Sequence, residues 1–111
     1  MQRVRESERE FRGGSSGVKY LFRGPNIDWG VILLLPGQRL GGHYHNEVEE
    51  TFYILEGQAT LYMDNVKHPL VTGDAVRLEA PEHHDIVNES DQPVKMVFIK
   101  YPYFPKDKVD L

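Results

Sequence analysis

The sequence contains no cysteine among its 111 residues. That removes disulfide staples, thiolate zinc sites and cysteine nucleophiles together. It fits a reducing cytoplasm, where we expect the chain to work. Long apolar runs are missing too. The longest, Val31 to Leu35, is far short of the roughly 20 residues that a membrane-spanning helix needs. Basic charge is in deficit: 13 Lys and Arg stand against 17 Asp and Glu, for a formal net charge of -4. Nucleic-acid binding asks for the opposite balance. The opening residues MQRVRESEREF are charged and have no apolar core, so they do not read as a signal peptide. We therefore expect neither a membrane nor a nucleic acid as partner. Helical patterning is scarce as well, because RVRESEREF carries no apolar stripe.

What the sequence does have is short runs punctuated by Gly, Pro, Asn and Asp. Strands are predicted at residues 17-23, 29-35, 49-57, 59-64, 68-71, 74-79, 84-88 and 93-101. Turn signals at spacings of roughly 8–12 residues point to an all-β sandwich or barrel. Alternation agrees, with Ala59, Leu61 and Met63 on one face and Thr60, Tyr62 and Asp64 on the other. A single domain of this size can bury a core without staples. We read a charged N-terminal arm over residues 1-16, a barrel over 17-104 and an irregular tail over 105-111. The arm is open to three readings: a free arm, a strand that pairs with a partner, or disorder. GGSSG, residues 13-17, reads as a hinge.

The stretch GGHYHNEVEETF, residues 41-52, concentrates polar chemistry. On extended chain His43 and His45 point to one face and can converge on one point, while Tyr44 between them points away. Taken alone, such a pair is more often a polar loop than a metal site. Glu50 shares a strand face with Phe52 and Ile54, where an unpartnered charge is costly. Its neighbour Glu49 competes for the same role, and Glu47 belongs to the turn. In HDIVN, His84, Ile86 and Asn88 line one face. Alternation sends His83 outward, and His68 in VKHPL reads as a loop residue.

These residues fall into a pattern that resembles the cupins. Their first motif is a Gly, five residues, HxH, three or four residues, Glu, six residues, Gly. Gly37, His43, His45, Glu50 and Gly57 reproduce every spacing. The second motif is matched by Gly73, His84 and Asn88, with Glu79 standing where a Pro is expected and Pro81 where a Gly is expected. Fifteen residues separate the motifs, and the resemblance covers residues 30 to 100. It implies a cupin-type antiparallel β-barrel, a double-stranded β-helix or jelly roll. It also implies one divalent metal ion (Mn, Fe, Ni, Co or Zn) held by His43, His45, Glu50 and His84. Four protein ligands on an octahedral ion leave two positions for water or a chelating substrate.

The expected function is that of a metal-dependent enzyme, of isomerase, lyase or dioxygenase type, acting on a small metabolite bearing a carbonyl or carboxylate. The alternative is a non-catalytic module that binds or senses a small molecule or metal, since fold does not decide activity. Phe52, Ile54, Ile86, Met96 and Phe98 are candidate pocket walls or plain core. No lysine or arginine is firmly placed in the barrel, so a phosphate-bearing substrate has no evident anchor. Arg23 and Arg39 are possible rim cations. A homodimer is expected from the arm, the aromatic tail and the prevalence of twofold assemblies.

Overall fold

The computed structural model describes residues 1–110 and, for Tyr44, the backbone alone. The expectation for Tyr44's side chain therefore lies outside the described residues. Ten strands run in chain order: β1 (Gly17–Arg23), β2 (Asp28–Leu34), β3 (His43–His45), β4 (Glu49–Glu56), β5 (Gln58–Met63), β6 (Val66–Val71), β7 (Ala75–Leu78), β8 (Asp85–Val87), β9 (Val94–Tyr101) and β10 (Lys108–Asp110). All pairings are antiparallel. One sheet has the order β1-β2-β9-β4-β7 and faces a second with the order β6-β5-β8, while β3 pairs with β10. The sheets do not close into one continuous hydrogen-bonded barrel; this is a jelly roll of packed sheets.

The eight predicted strands are present with ends shifted by two residues or fewer. Asp64 and Asn65 take positive φ of 50° and 63°. These two residues join β5 to β6 as the hairpin turn that Asn and Asp tolerate best. His68, read as a loop residue, instead lies within β6, which is an edge strand and therefore accepts Pro69. The tail, read as irregular chain, supplies β10. Its three-residue strand carries too little pattern to be seen without its partner.

Registers across the large sheet explain where the core ends and the site begins. Gly30, Phe98, Phe52 and Val76 are opposite one another across four strands, and Ile32, Met96 and Ile54 form the next row. Phe52, Ile54, Met96 and Phe98 are fully or almost fully buried and pack with Leu61 and Ile86 from the second sheet. One row toward the mouth the residues turn polar: Asp28, Lys100 and Glu50, followed by Leu78. Gly30 is required where it stands, because a Cβ there would lie 2.0 Å from the Lys19 carbonyl oxygen.

The N-terminal arm docks on its own sheet. A 3-10 turn at Glu6–Glu8 receives the Lys19 ammonium on the Glu6 carbonyl at 3.1 Å, and Lys95 meets the Glu6 carboxylate at 2.8 Å. Lys19 also sits 4.1 Å above the Phe11 ring. Contacts with Lys19 and Lys95 lay the arm against its own sheet.

Candidate metal centre

The strand bearing the two histidines is held opposite His84 by a reciprocal backbone pair. His43 N donates to His84 O and His84 N donates to His43 O, each at 3.0 Å. Residues directly opposed in an antiparallel pair project to one face, and the two rings lie 4.2 Å apart. Glu50 arrives from β4, between Lys100 of β9 and Leu78 of β7. Its Oε1 is 3.1 Å from His84 Nε2, 3.3 Å from His43 Nε2 and 3.4 Å from His45 Nε2. All four side chains are at most 5% exposed.

Neighbouring backbone fixes the tautomers of two of the rings. His43 Nδ1 donates to Gly41 O at 2.9 Å, and His84 Nδ1 donates to Glu82 O at 3.1 Å. Gly41 is itself held through its amide by Asp85 Oδ1 at 2.9 Å, and Asp85 is anchored by Arg39. Arg39 is thus a structural partner of Asp85 rather than a free rim cation. A neutral imidazole that donates through Nδ1 presents a lone pair at Nε2. A lone pair aimed at a carboxylate oxygen repels it, and only a cation between them, proton or metal, reconciles the two. His45 adds to this demand, because both of its ring nitrogens are buried without a hydrogen-bond partner. Three imidazole nitrogens and a carboxylate oxygen suit a first-row divalent ion, so the residues fit such an ion.

Burial alone would push the Glu50 carboxyl up. With a proton at Nε2 the three imidazoles donate to the carboxylate and, helped by Lys100, outweigh burial and hold the group well below the usual carboxylate range. His43, Glu50 and His84 form the tight cluster, with donor atoms all within 4.8 Å of one another. His45 joins through its approach to Glu50, and its ring stands 6.4 Å from that of His84. Glu49 turns outward, where its carboxylate lies 3.8 Å from Arg77. His83 is exposed, beside the centre in sequence but outside the cluster.

Asn88, the last residue of the second motif, is fully buried and structural. Its amide donates to Leu34 O and Gln92 O at 2.9 and 2.8 Å, and its oxygen accepts from Ser90. The substituted turn before His84 is closed by Glu79 and Glu82. Glu82 N donates to Glu79 O at 2.8 Å, and Glu79 N donates to the Glu82 carboxylate at 2.9 Å. A glutamate pair thus closes the turn where the Pro and Gly of the motif are missing.

Two groups near the centre escaped the sequence reading. Lys100, whose Nζ is 3.9 Å from Glu50 Oε2 and 3.1 Å from the Tyr20 hydroxyl, stands at the mouth. The alternation that turns Met96 and Phe98 inward continues to Lys100 and signals its position. Asp107, from the tail, accepts from Glu47 N at 2.8 Å and Val48 N at 2.9 Å, pinning the loop between His45 and Glu50. Nothing local in YPYFPKDKVDL marks it for that role.

The cupin domain model named Cupin_2 matches residues 30–100. The SchB protein of Streptomyces halstedii is 34% identical over 77 residues, which is 69% of this chain and 56% of that protein. The chain spans about half the length of these curated relatives, SchB and the polyketide synthase CurC of Streptomyces cyaneus. Among solved structures, a Klebsiella pneumoniae protein with a double-stranded β-helix domain aligns at a TM-score of 0.84 and 16% identity, over 99% of this chain and 96% of that one. A sugar phosphate isomerase of the cupin superfamily from Silicibacter pomeroyi aligns at a TM-score of 0.65 and 29% identity, over 68% of this chain and 50% of the other.

Proposed function

The chain belongs to the Cupin_2 family of cupin domains, and from that premise we propose that it is a metal-dependent enzyme acting on a small metabolite bearing a carbonyl or carboxylate. His43, His45, Glu50 and His84 hold the ion. The observation that carries this reading is the convergence of three buried imidazole Nε2 atoms within 3.4 Å of one Glu50 oxygen. When bound, the ion supplies a Lewis acid with positions left open for the metabolite. A purely structural ion would have its coordination filled by protein. Likeness to the S. pomeroyi sugar phosphate isomerase supports an isomerase class within this reading.

The test is elemental analysis of untagged, chelator-free protein beside His84→Ala. The expected result is near one equivalent of Mn, Fe, Ni, Co or Zn per chain, lost in the variant. Absence of metal from both proteins, with none taken up on addition, overturns the proposal.

We further propose that the protein works in the cytoplasm as a homodimer. Tyr53, Leu55, Ile99 and Tyr101, on β4 and β9 of the large sheet, are all exposed. A twofold contact is the commonest way to cover such residues. A monomeric mass in sedimentation would remove the dimer. No helix among the described residues is long and apolar enough to cross a membrane.

A further inference from the structure

The protein is acidic overall, yet four of its cations converge beside the candidate metal centre. A cavity of about 240 Å³ is lined by Arg12, Arg23, Lys100 and Lys108 and reaches His45. Among the described residues, Asp28 is the one carboxylate in its wall. A smaller space of about 40 Å³ reaches His43 and Glu50 and shares Arg12, Lys100 and Lys108 with the first. These three residues therefore border both the ligand cluster and the outer cavity.

The cations are placed by different parts of the chain. Lys100 is fixed by its register between Asp28 and Glu50 and by the Tyr20 hydroxyl. Arg23 lies 3.3 Å from Asp28 Oδ2, with its guanidinium carbon 4.0 Å from the Tyr20 ring centroid. Lys108 comes from β10, where its ammonium is 3.3 Å from the highly exposed Asp110 carboxylate. Arg12 comes from the arm, and the Tyr20 ring, 5.9 Å away, is its one side-chain contact among the described residues. Asp28 lies beside Arg23, Asp110 beside Lys108 and Glu50 beside Lys100, while Arg12 has no carboxylate partner among the described residues. Four cations against three carboxylates leave an excess of positive charge around the cavity even before an ion is bound, and a cleft with such an excess concentrates anionic ligands.

We infer that this cavity seats the anionic group of the substrate, a carboxylate or phosphate, held by Lys100, Arg12 and Lys108 with Arg23 at its wall. The inference deepens the proposed metal-dependent activity and rests on it for the role of the other end of the substrate. A ligand whose anion lies here extends past His45 and presents its second oxygen-bearing group to the centre. The cavity's size suits a metabolite fragment of a few heavy atoms, since drug-sized ligands ask for roughly 300–1,000 Å³. This revises the expectation that the barrel offers a phosphate no anchor. Two of the four cations belong to the chain ends, outside the motifs.

Calorimetric titration of the metal-free and metal-loaded protein with inorganic phosphate, with acetate, and with neutral acetamide tests the assignment at low ionic strength. Saturable binding of phosphate, acetate or both to the metal-free chain is expected, with none for acetamide. Phosphate alone identifies a phosphate ester, acetate alone a carboxylic acid, and both an anion site of either chemistry. Lys100→Met should weaken binding about tenfold, and Arg12→Gln and Lys108→Gln about threefold each, as loss of charge-assisted hydrogen bonds in a part-exposed setting implies. Lys67→Gln, a cation of β6 4.0 Å from Glu89, should leave binding unchanged. Arg12→Gln alters only the exposed arm and keeps the test readable if Lys100→Met fails to fold. No binding of either anion, or an equal loss in Lys67→Gln, overturns the inference. Metal content measured on the same samples separates the two readings: metal uptake without anion binding sinks this inference alone. Anion binding without metal uptake sinks the metal reading alone.

Discussion

Asp107→Ala should cut the tail loose from the metal centre, and the cost follows from two hydrogen bonds. The carboxylate accepts from Glu47 N and Val48 N at 2.8 and 2.9 Å. Glu47 is exposed, so water replaces the first bond. Val48 is only 3% exposed, so its amide is left without a partner at a cost of roughly 1–3 kcal/mol. Taking about 2 kcal/mol, and an unfolding entropy near 2.1 cal/mol/K per residue, a chain of this length should lose about 9 °C in Tm. The assay is thermal unfolding by circular dichroism on metal-free protein. Burial raises the Asp107 carboxyl, but the amides of Glu47, Val48 and Asn46 outweigh this and leave it below its ordinary value. A group whose folded value is lowered stabilises above its unfolded value, about 3.9, and loses that contribution as pH falls through the folded value. The gap between wild type and Asp107→Asn should therefore be full above about pH 4 and shrink below it. An Ala variant melting within about 2 °C of wild type would refute the reasoning, because the tail would then not be docked in solution.

His45→Ala should lose most of its bound metal in elemental analysis while keeping its β-rich circular dichroism spectrum. His68→Ala and His83→Ala should retain metal, since His68 lies exposed on edge strand β6 and His83 is exposed, whereas His45 approaches Glu50 to 3.4 Å. Equal loss in all three would mean that the ligand assignment is wrong. Gly30→Ala forces a Cβ against the Lys19 carbonyl at 2.0 Å, and overpacking against rigid backbone costs about 1–3 kcal/mol or more. Its Tm should fall by at least about 4 °C, and an unchanged Tm would mean that β1 and β2 do not approach as closely as described.

The apolar rows were legible because alternation is a local property: Phe52 with Ile54, and Met96 with Phe98, announce an inward face without knowledge of their partners. The candidate metal centre was legible for a different reason: the spacing of His43, His45, Glu50 and His84 resembles that of the cupin motifs, and the structure brings these four side chains together. Neither signal reaches Asp107, Lys108 or Arg12. Asp107 and Lys108 act through contacts far away in sequence, with Glu47 and Val48 and opposite His45, and Arg12 meets Tyr20 only once the arm folds back on β1. Lys100 is the instructive middle case. It continues the Met96 and Phe98 alternation by one step, and a lysine on an inward face should be read as the point where the core gives way to a mouth.

That division has a functional meaning. The motifs specify a centre that fits an ion, and this centre is built from strands locked by registers that tolerate little change. Of the four cations beside the adjoining cavity, Lys100 and Arg23 are carried by strands of the large sheet, while Arg12 and Lys108 come from the arm and the tail. The candidate donor set and the cationic wall thus share some supports, since Lys108 lies opposite His45 and Lys100 opposite Glu50, while Arg12 stands apart on the arm. Substitution at Arg12 or Lys108 can alter what binds without disturbing how Glu50 is held. On the inference that the cavity seats an anion, the ends of the chain, short and weakly patterned as they are, would be where a preference for one small anion over another is set.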